Sequence, residues 1–177
     1  MSVSPFQFNV RTLIGKPGEM RELEREVMTP EQIGEGLLKV PAGSALDLDV
    51  RLESLHDGIL ATANVVVPTA GECSRCLTTI DEDLQVEFTE LFAYARDEAL
   101  EYEVSDDCVD LEPPIRDAVV LALPFQPVCQ PDCLGLDPET GEKLTQPRPE
   151  RASEVDPRWA SLLDFDASEP GQTPASE

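Results

Sequence analysis

A chain of 177 residues holds one domain of ordinary size plus a tail, and its 41% hydrophobic content suffices for a core, which excludes a disordered protein. The 13 Lys and Arg against 36 Asp and Glu leave a net charge of −23; this repels polyanions, so a phosphate-binding surface is disfavoured and any close partner is expected to be basic. No apolar run approaches the ~20 residues of a membrane span. Met1-Ser2-Val3-Ser4-Pro5 shows no basic stretch leading into an apolar one, so the expected location is the cytoplasm.

In chain order, Phe6–Val10 and Met20–Val27 flank a Gly15-Lys16-Pro17-Gly18 turn and predict a wide hairpin, although the second segment is charged enough to be helical. Thr29-Pro30-Glu31-Gln32 pairs a cap residue with proline at a first helical position, which predicts one helical turn before Gly34 and Gly36. From Leu46 to Glu53 the alternation is strict: Leu46, Leu48, Val50 and Leu52 on one face, Asp47, Asp49, Arg51 and Glu53 on the other. This is a half-buried strand. Asp57-Gly58 supplies a turn beside His56, and Ile59–Val67 completes a hairpin. Leu84, Val86 and Phe88 alternate with Gln85, Glu87 and Thr89 in a further strand running towards Phe92 and Tyr94. Between Glu112 and Leu123 the period changes, with Ile115, Ala118, Val119, Ala122 and Leu123 on one helical face, prolines 113 and 114 at the start and Pro124 at the end. Past Leu144 the chain turns rich in proline, charge and small residues, interrupted where Asp156-Pro157-Arg158-Trp159 opens a short helix with Trp159, Leu162 and Leu163 on one side, a stripe expected to dock onto its own domain.

The expected fold is α+β: a mainly antiparallel β-sheet with one covering helix, a cysteine knuckle region and a flexible C-terminal tail. Residues 1–145 form the domain. Residues 146–177 form the tail, with a short helix near 157–163 and a disordered end.

Chemistry is concentrated in five cysteines, an odd number in a chain without an export signal, which favours metal or redox chemistry over structural disulfides. Cys73-Ser74-Arg75-Cys76 lies between two predicted strands, and Cys129-Gln130-Pro131-Asp132-Cys133 adds a second pair 52 residues on. Four thiolates in two knuckles suit structural zinc, with no position left open for water. Two other readings stay open: reduced, partly buried cysteines in a fold that needs no metal, or a redox centre at Cys73 and Cys76, which would want a helix N-terminus to lower a thiol pKa. Cys108 sits in an acidic segment that disfavours its thiolate and reads as a bystander.

Residues 81–112 carry 13 acidic side chains against Arg96 alone, a run that is a solvated face, a dock for a basic protein or a mimic of nucleic acid. Asp81, Glu82 and Asp83 diverge along a strand and are assigned no metal. His56, the only histidine, reads as a turn residue. The chain has no phosphate-cradling glycine loop, dinucleotide glycine motif, paired-histidine zinc motif or nucleophile elbow, and no catalytic residue is assigned.

Taken in order, the strand pair from Leu46 to Val67, Glu72-Cys73-Ser74-Arg75-Cys76-Leu77, the strand to Phe92, Asp110-Leu111-Glu112, the helix ending Leu121-Ala122-Leu123-Pro124, then Cys129, Cys133-Leu134-Gly135-Leu136, Gly141 and Asp156-Pro157-Arg158-Trp159-Ala160 resemble the YceD family, the large ribosomal RNA subunit accumulation proteins, in an actinobacterial-like form. Many relatives with the Cys-Leu-Gly-Leu segment carry two more cysteines where this chain has Asp137 and Thr140, so four cysteines share one ion here or metal binding is lost; Asp137 would be a weaker oxygen ligand. The resemblance implies a role in large-subunit ribosomal RNA processing or stability and no catalysis. Together with the charge it leads to the expectation of a ribosome-assembly factor that binds a basic ribosomal protein or the precursor large subunit, direct RNA contact being left open. A cysteine-based redox or metal-handling protein is the alternative.

Overall fold

The computed structural model describes residues 4–95, 101–147 and 158. The chain divides into two units, Met1–Lys143 and Leu144–Glu177, and every element below belongs to the first. The strands are β1 (Gln7–Asn9), β2 (Met20–Met28), β3 (Leu38–Lys39), β4 (Ala45–Ser54), β5 (Gly58–Glu72), β6 (Thr79–Ala93), β7 (Tyr102–Glu103) and β8 (Cys108–Asp110); α1 (Glu112–Ala122) follows. The main sheet runs β2-β4-β5-β6-β7, with β3 also paired to β5, and β1 and β8 form a separate two-stranded ribbon. All pairings are antiparallel except β6 with β7.

The period-2 pattern explains the sheet's two faces. Leu46, Leu48, Val50 and Leu52 of β4 and Ile59, Ala61, Ala63, Val65 and Val67 of β5 are all buried. Each large one contributes roughly 1.5–3 kcal/mol by leaving water. Phe6, Phe8, Val10, Leu13, Val109, Ile115 and Val119 join the same core, so the N-terminal segment, β8 and α1 together cover the apolar face. The opposite face carries Asp47, Asp49, Arg51 and Glu53.

Helix α1 starts where prolines are tolerated, in its first turn, and Asp110 Oδ1 accepts the Glu112 N–H at 3.0 Å. It ends as Leu123, ahead of Pro124, turns extended. Ile115 and Val119 are buried as expected, but Pro114 joins them and Ala122 is exposed. No helix among the described residues is long and apolar enough to cross a membrane.

Two expectations are corrected. The hairpin of Phe6–Val10 with Met20–Val27 does not form: β1 pairs with β8 and β2 with β4. Burying Phe6, Phe8 and Val10 over the sheet outweighs local pairing, and Arg25 of β2 seals the junction. Its Nη1 donates to the carbonyls of Pro5 and Gln7 at 3.1 and 3.2 Å, and its guanidinium lies 4.3 Å from the Phe8 ring centre. The helical turn at Thr29 is also absent. Thr29 is buried, its hydroxyl donating to Pro41 O at 3.2 Å, so its capping capacity serves the approach to β4 instead. The mainly antiparallel sheet is as expected, and the β1-β8 ribbon accompanies it. The expected helix near 157–163 lies, apart from Arg158, outside the described residues, as does the tail's end.

Candidate metal centre

Strands β5 and β6 are joined by a loop that places Cys73 and Cys76. The loop closes on itself, Cys73 N–H donating to Thr78 O at 2.8 Å and Leu77 N–H to Cys73 O at 2.9 Å, with Leu77 in the left-handed region at φ 56°. The segment after α1 brings Cys129 and Cys133 against it. Ser74 N–H donates to Pro127 O at 2.8 Å and Arg75 Nη1 to Cys133 O at 2.9 Å. Gly135, at φ 84°, lets the second loop come close: a Cβ there would stand 3.1 Å from Arg75 O.

The four sulfurs lie within 4.8 Å of one another, a group that could hold a metal ion. Cys73 and Cys133 are 3.8 Å apart at Sγ, Cys76 and Cys129 3.6 Å. Disulfide sulfurs stand at about 2.05 Å, so these are free thiols. Thiolates at about 2.3 Å around a tetrahedral ion stand about 3.8 Å from one another, so the donor set fits such an ion in number, type and spacing. Cys73, Cys76 and Cys133 are buried in a small cluster with Leu38 and Ile80, while Cys129 is exposed.

The thiols divide into two kinds. Burial would raise Cys73, but the backbone N–H groups of Cys129, Arg75 and Cys76 outweigh it and bring the thiol from 9.0 down to about 6. The Thr78 hydroxyl, 2.9 Å from Cys76 Sγ, holds Cys76 below its ordinary value with help from the Thr78 N–H. The hydrogen bond to Cys76 pushes Cys129 up to about 12, with desolvation adding to it, and burial raises Cys133. The shifts thus run downward for Cys73 and Cys76 and upward for Cys129 and Cys133, and a central cation would displace the protons the sulfurs carry.

The four cysteines expected as metal ligands are therefore brought together, whereas Cys108 is placed on β8, where the Asn9 side chain donates to it at 3.8 Å. His56 is exposed in the β4–β5 turn. Asp137 engages the N–H groups of Glu139 and Thr140 through Oδ1, at 2.8 and 3.2 Å. Sequence reasoning missed Thr78 and Lys143, whose Nζ donates to the Thr78 hydroxyl at 2.7 Å. A hydroxyl two residues past a cysteine pair was the one available signal.

Fold and site define a sheet protein whose β5–β6 loop and post-helix segment meet at a four-thiol cluster. The family described as "Large ribosomal RNA subunit accumulation protein YceD" matches residues 61–166. An uncharacterized Mycobacterium tuberculosis protein, Rv2926c, is 46% identical over 169 residues, 92% of this chain and 82% of that one. ML1660 of Mycobacterium leprae is 36% identical over 178 residues (97% and 82%), and YlbN of Bacillus subtilis 28% over 120 (64% and 67%). The chain belongs to the YceD family. No solved structure matches it.

Proposed function

We propose that this protein is a non-catalytic, cytoplasmic ribosome-assembly factor that supports large-subunit ribosomal RNA accumulation or processing by binding a basic ribosomal protein or the precursor large subunit. Residues 1–145 act as the binding module and 146–177 as its tail. Cys73, Cys76, Cys129 and Cys133 hold a structural zinc ion that locks the β5–β6 loop to the segment after α1. The family's description supports the ribosomal role, and one structural observation supports the basic partner. Across the solvent face of the sheet, Glu24 stands directly opposite Asp49 and Glu26 opposite Asp47, two like-charge pairs side by side. Facing like charges destabilise a sheet, so an array of them is best compensated by a cationic partner.

Tagged protein is expected to co-sediment with precursor large-subunit particles at low salt and to dissociate as salt rises. Absence from those fractions at low salt overturns the reading. One observation favours the redox alternative, the thiolate character of Cys73. Metal analysis with thiol titration separates the two: one zinc per chain, lost in Cys73→Ser and Cys129→Ser, supports the clamp, while a readily cycled Cys73–Cys76 disulfide supports redox chemistry.

A further inference from the structure

Strand β6 is paired with β5 along its whole length, but its other edge is paired to β7 only at Phe92 and Ala93. On that edge Ala93 O accepts the Val104 N–H at 2.9 Å. Peptide groups alternate in direction along an antiparallel strand, so Thr89, Glu87 and Gln85, beyond the reach of β7, also aim their N–H and C=O groups outward. Among the described residues no strand meets them there. Proteins ordinarily cover or blunt such an edge, because it is a template for another strand.

Helix α1 borders this edge across a groove of about 930 Å³, at the upper end of ligand-site sizes. Val86 and Phe88 on the strand face Ala118, Val120 and Leu121 on the helix. Val120 is 48% and Leu121 86% exposed, apolar surface left outside the core that buries neighbouring Ile115 and Val119. The rim is negative, with Glu87, Glu90, Glu101 and Asp117. Its cation, Arg116, is engaged by Glu112 and Glu31 at 3.9 and 4.0 Å and by Gln32 O. Tyr102, whose hydroxyl donates to Asp117, registers this environment: burial first, then the charges of Glu101 and Asp117, push it up to about 12.

We infer that the groove between β6 and α1 accepts an extended basic segment of a partner protein as an added strand. Its backbone pairs with Gln85, Glu87 and Thr89, its apolar side chains enter between Phe88 and Leu121, and its lysines or arginines meet Glu90, Glu101 and Asp117. A second copy of this chain is disfavoured as occupant, since two such edges would oppose their acids. The inference rests on the assembly-factor reading only in taking the partner to be basic.

The test uses the full chain and a ten-residue peptide alternating lysine and valine, with a glutamate–valine counterpart. The lysine peptide is expected to bind, the glutamate peptide not to, and amide exchange at Gln85, Glu87 and Thr89 to slow at least tenfold on binding. Thr89→Pro removes an outward N–H that β5 does not use and is expected to weaken binding at least tenfold, as is Glu90→Lys with Asp117→Lys. Absent binding, binding without protection at those amides, or protection arising from self-association overturns the inference. If wild type and Thr89→Pro co-sediment equally with precursor particles, the groove idea falls and the assembly reading stands. If the peptide adds as a strand while the chain never sediments, the reverse holds.

Discussion

At the scale of single residues, a thiol near 6 beside one near 12 makes the metal-free protein sensitive to pH in opposite directions. Between about pH 6 and 9 the unfolded chain keeps the Cys73 proton that the folded chain has released, so stability rises with pH and is lost as pH falls through 6. Between about pH 9 and 12 the folded chain keeps the Cys129 proton that the unfolded chain gives up, so stability falls, with Tyr102 adding to the decline. Melting temperatures of chelator-treated protein should peak near pH 9, and Cys73→Ser should flatten the rising arm more than the falling one. A curve that falls steadily from pH 6 contradicts this. The cysteine types and spacings were legible in the sequence. The Thr78 hydroxyl and the left-handed Leu77 were not, because a leucine there costs about 1–2 kcal/mol locally and is tolerated only where tertiary contacts hold it.

At the scale of elements, β4, β5, β6 and α1 were legible because each is long enough to display its period. Strands β3, β7 and β8 span two or three residues and display none. The partner of Phe6–Val10 was hidden for another reason: a turn signal between two strands indicates a reversal, not which strands pair, and burial of Phe6 and Phe8 decided it. The brief β3 contact depends on one close approach, since a Cβ on Gly71 would stand 2.0 Å from Leu37 O. Gly71→Ala should destabilise by about 2 kcal/mol or more in urea unfolding. Gly36→Ala, whose Cβ meets only Leu38 O at 3.8 Å, should stay within about 0.5 kcal/mol. Equal effects would mean that β3 contributes nothing.

At the scale of the molecule, a net charge of −23 makes self-repulsion a standing cost, concentrated where Glu24 faces Asp49 and Glu26 faces Asp47. Raising sodium chloride from 50 to 500 mM, conditions that shorten the Debye length from roughly 14 to 4 Å, should therefore raise the melting temperature. Glu24→Lys should add about 0.2–1 kcal/mol at low salt and weaken co-sedimentation. A variant that gains stability and binds particles as before would remove the solvent face from the partner's footprint. The sequence pointed to acidity over residues 81–112, but it is register that places Asp47, Asp49, Glu24 and Glu26 on one surface.

The sulfur cluster lies three residues before β6 begins at Thr79 and seven beyond the end of α1 at Ala122, so it ties together one end of two neighbouring elements. It behaves as the spring of a clothes peg whose jaws are a strand and a helix. An ion held by the four sulfurs would fix how far the strand and the helix stand apart at that end, and its removal would leave only the loop hydrogen bonds to do so.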